Sequence, residues 1–221
     1  MKSHKTPLRY PGGKSRACTK IGQFLPNMYT YREFREPFLG GGSVAIYLTK
    51  MYPSLNIWVN DLYEPLVNFW KEIQHSGEEL YTTLSDLKLK PPNPDSAKGL
   101  FLESKEIINS QDKSKLERAV AFYVVNKCSF SGLTESSSFS AQASDSNFSM
   151  RGIEKLTGYQ EIIQDWKITN LSYEDLLTDW RDSFIYLDTP YDIKDNLYGK
   201  SGEMHKKFDH DKFAKDCDDH T

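Results

Sequence analysis

Residues 33–61 read EFREPFLGGGSVAIYLTKMYPSLNIWVND. The run from Glu33 to Leu39 is strand-like and empties into Gly40, Gly41 and Gly42. Ser43 to Tyr52 then takes up helical spacing, with Ser43 placed to cap it. Asn56 to Asn60 (NIWVN) is a second strand, closed by Asn60 and Asp61. Glu64 to His75 returns to the helical period through Leu66, Val67, Phe69, Trp70 and Ile73. Strand, helix, strand, helix in that order predicts an α/β fold with a parallel, doubly wound sheet, because parallel neighbours need a crossover between them.

Strand signals return only much later, at Trp166 to Asn170 (WKITN) and at Ser183 to Leu187 (SFIYL), which runs into Asp188-Thr189-Pro190-Tyr191. Between them Pro91, Pro92 and Pro94 break the pattern, helical runs follow near Ala97 to Asn109 and Lys115 to Lys127, and Ser129 to Ser149 holds nine serines. That last segment is too polar for a core element and reads as a mobile loop or hairpin. An insertion of about ninety residues is far longer than an ordinary crossover and reads as a second functional module. The chain thus divides into a first core segment 1–75, a mainly helical insertion 76–158 carrying the serine-rich loop 129–150, and a second core segment 159–221.

With 28 Lys and Arg against 31 Asp and Glu, the 221-residue chain carries a net charge of -3. A uniformly basic nucleic-acid coat is excluded, and any contact with DNA or RNA must come from a local patch. Such a patch exists in the sequence: Lys2, Lys5, Arg9, Lys14, Arg16, Lys20 and Arg32 all precede the first acid, Glu33. No apolar run approaches the roughly 20 residues of a membrane helix, and MKSHKTPLRY lacks the apolar core of an export signal. Cys18, Cys128 and Cys217 form no C-x-x-C pair, and His205 and His210 beside Asp209 and Asp211 meet no zinc spacing. The expectation is a cytoplasmic monomer without a metal.

Pro11-Gly12-Gly13-Lys14-Ser15 looks like the end of a phosphate-binding P-loop, but the first glycine of that pattern would fall on Leu8 and no hydrophobic strand precedes it, which rejects an NTPase. Gly40-x-Gly42-x-x-Ala45, after a strand and opening a helix, fits a turn that lets the backbone approach a nucleotide-like ligand. Asp61, nineteen residues beyond Gly42 and at the end of the next strand, can accept hydrogen bonds from ribose hydroxyls. Asp188-Thr189-Pro190-Tyr191 puts an acceptor, a stiffened carbonyl and a flat ring at the carboxyl edge of a sheet. A flipped base with an exocyclic amine requires this set.

Five segments, LRYPGGK (8–14), EPFLGGGSVA (36–45), Asn60-Asp61, RAVAFYVVNKCSFSGL (118–133) and DTPY (188–191), occur in the order found in Dam-type DNA adenine-N6 methyltransferases, which the chain closely resembles. The resemblance implies a Rossmann-like sheet that binds S-adenosylmethionine, a helical target-recognition insertion, and double-stranded DNA whose adenine is flipped into the site. By motif, Tyr10, Lys14, Phe38, Gly40, Gly42 and Asp61 would serve the cofactor. Asp188 would lie between cofactor and target amine, the Pro190 carbonyl would be a second acceptor, and Tyr191 would be the stacking ring. Thr189 stands where the family most often has proline. The 30 residues after Tyr191 are fewer than the family's remaining strands need, so the resemblance implies a truncated sheet.

Arg or Lys reading guanine and Asn or Gln reading adenine are expected in the insertion, where Asn126, Lys127 and Arg151 are the candidates, with Gln142 and Asn147 behind them. Other readings stay open at this stage. They are a relic that binds DNA or cofactor without catalysis, methylation of cytosine N4 or of RNA, and a nicotinamide-dependent dehydrogenase, which leaves DTPY and the GGK segment unexplained.

Overall fold

The computed structural model describes residues 5–89, 94–132, 137–191 and 208–219. Four strands, β1 (Glu33–Glu36), β2 (Asn56–Asn60), β3 (Lys167–Thr169) and β4 (Ser183–Ile185), form one sheet in the order β3-β2-β1-β4. All three pairings are parallel, with Phe34 opposite Ile57 and Phe184, and Val59 opposite Ile168. Alternation along each strand therefore sends Phe34, Ile57, Val59 and Ile168 to one face, where they join the buried core. The opposite face carries Arg35, Trp58 and Lys167, with the Lys167 ammonium 3.3 Å and the Arg35 guanidinium 4.9 Å from the Trp58 ring centroid.

β1 is shorter than the sequence pattern suggests because Pro37 has no N–H to give a ladder. Beyond it, Leu39 donates from its backbone to the Asn60 carbonyl at 2.8 Å, so the chain stays tied to β2 as it turns. A short helix α1 (Cys18–Gly22) precedes the sheet, and helix α2 (Ser43–Met51) buries Val44, Ala45, Ile46 and Leu48. Its cap is Gly42, not Ser43: Ser43 already lies in the helix, and its hydroxyl pairs with that of Ser15 at 2.9 Å. Helix α3 (Glu64–Leu89) continues past His75 through one non-helical residue, Ser76, and contributes Leu66, Phe69, Trp70 and Ile73 to the core.

Between α3 and β3 lie α4 (Pro94–Ile107), α5 (Lys115–Cys128), α6 (Ala141–Asn147), α7 (Met150–Ile153) and α8 (Lys155–Ile163). Ser114 and Glu117 close the start of α5 with a reciprocal capping box. From Ala119 to Cys128 every residue of α5 is buried, with Phe122 and Tyr123 against Phe69. The described residues of the serine-rich segment, 129–132 and 137–149, carry more regular structure than their composition suggests. Ser129 and Phe139 form an antiparallel bridge, and the hydroxyls of Ser140 and Ser149 accept from Ala143 and Gly152 to start α6 and α7. Serine here supplies helix starts, its strongest local preference, rather than solvating a loop. A last helix, α9 (His210–Asp219), returns to the sheet's carboxyl edge.

Candidate active site

The carboxyl ends of all four strands open onto a single cleft of about 560 Å³. Its walls are Pro37–Ser43 after β1, Asp61–Tyr63 after β2, Leu171–Glu174 after β3 and Asp188–Tyr191 after β4. Tyr10–Lys14 closes one side, and Phe208, Asp209 and Lys212 of the α9 region close another. The cleft sits where strand order reverses about β1, the usual ligand position in open α/β sheets.

The glycine turn is shaped by its neighbours. Gly40 and Gly42 have φ of 49° and 67°, values that a side chain disfavours. The Tyr10 ring packs over Gly40, and the buried Trp70 ring lies under Gly42 while its indole N–H donates to the Gly40 carbonyl at 3.3 Å. Asp61 fastens the turn from the far side: one carboxylate oxygen accepts from Gly40 N at 2.9 Å and the other from Tyr63 N at 3.0 Å. Burial pushes the Asp61 carboxyl up to about 6, against the pull of these backbone N–H groups.

Lys14 joins the two halves of the site. Its ammonium donates to Asp188 Oδ2 at 2.5 Å, to the Tyr191 hydroxyl at 2.6 Å and to the Gly12 carbonyl at 2.9 Å. Burial works against this charge, but the bonds to Asp188 and Tyr191 outweigh it and hold the Lys14 pKa up at about 12. Gly12, with φ of 72°, lets the loop pass under the Tyr191 ring. Tyr191 remains 40% exposed, so a face of its ring is open to the cleft. Thr189 and Pro190 line the same wall.

Phe38 points into a cluster of rings, 5.7 Å from Tyr173, 5.6 Å from Phe208 and 5.9 Å from Phe213. Tyr173 donates its hydroxyl to Asp216 at 2.6 Å, and Lys212 bridges to Glu174 at 2.9 Å, which seats α9 on this wall. The sequence reading gave no role to Tyr173, Phe208 or Lys212. Tyr173 had a signal, an aromatic just past a strand at the edge where the other motifs lie. Glu36 was also passed over. It is buried, accepts from Ala45 N at 3.1 Å and lines the cleft, and burial first and the negative charge of Asp188 second push its carboxyl well above the usual carboxylate range.

The expected base readers fare differently. Arg151 is exposed on α7 and does not line the cleft, and Gln142 is exposed on α6. Asn147 donates to its own helix at Ala143 O. Asn126 and Lys127 are both buried, at 1% and 8% exposure, with their side chains bonded to backbone of residues 7–9. Their positions on α5 face the N-terminal segment instead of solvent. His205 lies outside the described residues.

A parallel sheet whose strand ends converge on a glycine turn, a carboxylate after β2 and an acid-proline-aromatic wall after β4 is an α/β fold with its candidate site at the carboxyl edge of the sheet. The chain belongs to the family of D12 class N6 adenine-specific DNA methyltransferases, whose model matches residues 10–221. It is similar to the type II methyltransferase M.MjaIII of Methanocaldococcus jannaschii, 24% identical over 197 residues that cover 83% of this chain and 68% of that relative. It is also similar to the DNA N-6-adenine-methyltransferase of Escherichia phage P1, 31% identical over 127 residues, 58% of this chain and 15% of the phage protein. Among the described residues no helix is long and apolar enough to cross a membrane, and no group of three His, Cys, Asp or Glu could hold a metal ion.

Proposed function

We propose that this chain transfers the methyl group of S-adenosylmethionine to N6 of an adenine flipped out of duplex DNA, with Asp188, Pro190 and Tyr191 receiving the base. The observation that carries the reading is the Lys14 bridge, which joins Asp188 and Tyr191 to the loop that also packs on the glycine turn. Cofactor and target walls are thereby parts of one cleft.

The cleft suits such a cofactor by its chemistry. Its volume lies within the range for small-molecule sites of roughly 300–1,000 Å³. Asp61 and Asp188 bring two carboxyl groups to a site for a cationic sulfonium, and Phe38 and Tyr173 offer ring faces for an adenine. Phe38 and Gly40–Gly42 would flank the methionine and nucleoside portions, and Asp61 would hold the ribose hydroxyls. When bound, the cofactor supplies an electrophilic methyl group whose bond to sulfur breaks as the bond to N6 forms.

The protein's own part is placement. The adenine N6 lone pair is delocalised into the ring, which makes the amine a poor nucleophile. Hydrogen bonds from its two N–H groups to Asp188 and to the Pro190 carbonyl favour a pyramidal nitrogen with its lone pair aimed at the methyl group. Lys14 occupies one oxygen of Asp188 and leaves the other for the amine. The surplus proton on N6 leaves to solvent after transfer, so no strong base is needed beforehand. Stacking on Tyr191 offsets part of the few kcal/mol that unstacking the base costs.

Asp61 gives this reading a pH signature. Its pKa of about 6 is raised in the folded protein, so the carboxylate that would accept from ribose is lost as pH falls through that value. Cofactor affinity is expected to be about tenfold weaker at pH 5 than at pH 7.5 by single-proton linkage, and calorimetric titration of Asp61→Asn should show that slope removed. An unchanged slope in the variant would contradict the assignment of Asp61. The whole reading is tested by incubating the chain with labelled S-adenosylmethionine and unmethylated DNA and identifying the modified nucleoside. N6-methyladenine is expected; N4-methylcytosine, or no label in DNA despite bound cofactor, would overturn it.

A further inference from the structure

Asn126 and Lys127 sit at the carboxyl end of α5, inside the insertion, yet what they hold is the backbone before the GGK loop. The Lys127 ammonium donates to the Pro7 carbonyl at 2.5 Å. Asn126 accepts from Arg9 N at 3.0 Å and donates to Arg9 O at 2.7 Å and to Gly132 O at 3.0 Å. The Arg9 guanidinium answers with a bond to the Ser129 carbonyl at 2.8 Å, and the Tyr159 hydroxyl takes the Lys5 carbonyl at 2.6 Å. Residues 5–9 belong to no strand or helix, so their buried polar groups need partners from elsewhere. Asn126, Lys127 and Ser129 supply most of these from the insertion, while Tyr159 lies just beyond it on α8 and Leu8 N is met within the strap by the Thr6 hydroxyl.

This strap leads without a break into Tyr10, whose ring covers Gly40, and on to Lys14, which grips Asp188 and Tyr191. On its other side Asn126 holds Gly132, whose φ of 74° lets the loop after α5 lie against the Arg9 backbone. That loop carries Phe130, 67% exposed beside a basic segment, on the surface of the insertion. One amide side chain therefore touches both the surface loop of the insertion and the backbone next to Tyr10. An amide and an ammonium buried at 1% and 8% exposure are expensive to desolvate, and the bonds they make to the strap's backbone offset that cost.

We propose that Asn126 and Lys127 are positioning residues that couple the insertion to the methyl-transfer site: by holding Pro7 and Arg9 they set Tyr10 against the glycine turn and Lys14 against Asp188. DNA seated on the insertion and cofactor in the cleft then each tighten the binding of the other, as linkage requires. This inference rests on the methyltransferase reading for the identity of the two ligands.

The test uses the full chain, S-adenosylhomocysteine as an unreactive probe, and an unmethylated duplex. Dissociation constants for each ligand are measured with and without the other in the unaltered protein, Lys127→Met, Lys127→Arg and Asn126→Ser. Lys127→Met keeps the length of the stem and removes the donor, and Asn126→Ser provides a second, smaller perturbation. The unaltered chain should show coupling on the order of tenfold, within the usual range for linked sites. Lys127→Met and Asn126→Ser should bring the coupling close to one and lower kcat while DNA affinity without cofactor stays within about twofold, and Lys127→Arg should restore part of it. Full coupling in both variants, with only a lowered melting temperature, would show a purely structural role and overturn the proposal. Loss of DNA affinity alone would mark base or phosphate readers and overturn it too. Absence of coupling in the unaltered chain refutes it directly, whereas coupling without methyl transfer supports it and counts against the proposed activity alone.

Discussion

Replacing Asp188 by alanine should reduce methyl transfer by two to three orders of magnitude, the usual cost of removing one preorganised group from a reacting centre. DNA should still bind, because the change removes a negative charge inside the cleft and no proposed contact to the duplex. Two losses combine in the variant. The N6 amine loses an acceptor, and Lys14 loses the partner at 2.5 Å that orients it toward Tyr191. Asparagine should be nearly as damaging. Its carboxamide has one acceptor oxygen, and the Lys14 ammonium, a donor only, will claim it. The amide NH₂ is then turned toward the adenine amine, donor facing donor. Single-turnover methylation by the alanine variant at the unaltered rate would remove Asp188 from the mechanism.

Gly42→Ala should be strongly damaging, costing about 3 kcal/mol of stability and most of the cofactor affinity. At φ of 67° an L-residue is strained on backbone grounds alone. Its Cβ would also stand 2.8 Å from Trp70 Cζ2, a ring atom buried in the core with nowhere to retreat. The strain can be relieved only by moving the turn into the cleft. Gly99 is the control: it lies exposed in α4 with nothing within 4 Å of a built Cβ. Alanine there should be neutral or stabilising by up to about 1 kcal/mol through helix propensity. Denaturant midpoints for the two variants check the contrast, and similar midpoints would contradict it.

The parts of this molecule that could be read from sequence are those whose partners are close in the chain. Residues 33–61 form a complete strand-turn-helix-strand unit, and β2 follows the sequence pattern residue for residue. The place of Asp61 and Asp188 on the cleft was legible because each follows a strand, and the carboxyl ends of parallel strands must meet at one edge. Asn126 and Lys127 were not legible. An amide and a cation on a helix look like a solvated face, and only the docking of backbone 117 to 120 residues away puts them inside. Glu36 failed for a similar reason: alternation assigns an acid in a strand to solvent, whereas here the strand ends at the cleft. Phe208 and Lys212 reach the site by a return of the chain that no local pattern announces. The serines of 129–149 misled by number, since a few placed at helix starts determine more structure than the rest.

The turn at Gly40–Gly42 is clamped between Tyr10 on one side and Trp70 on the other, with Asp61 bolted across its end. Glycine usually loses the most conformational entropy on being fixed. Here that loss is incurred when the chain folds rather than when the ligand arrives. A ligand entering the cleft would meet a turn already held by these contacts, and the free energy of binding would go into affinity instead of into ordering the turn.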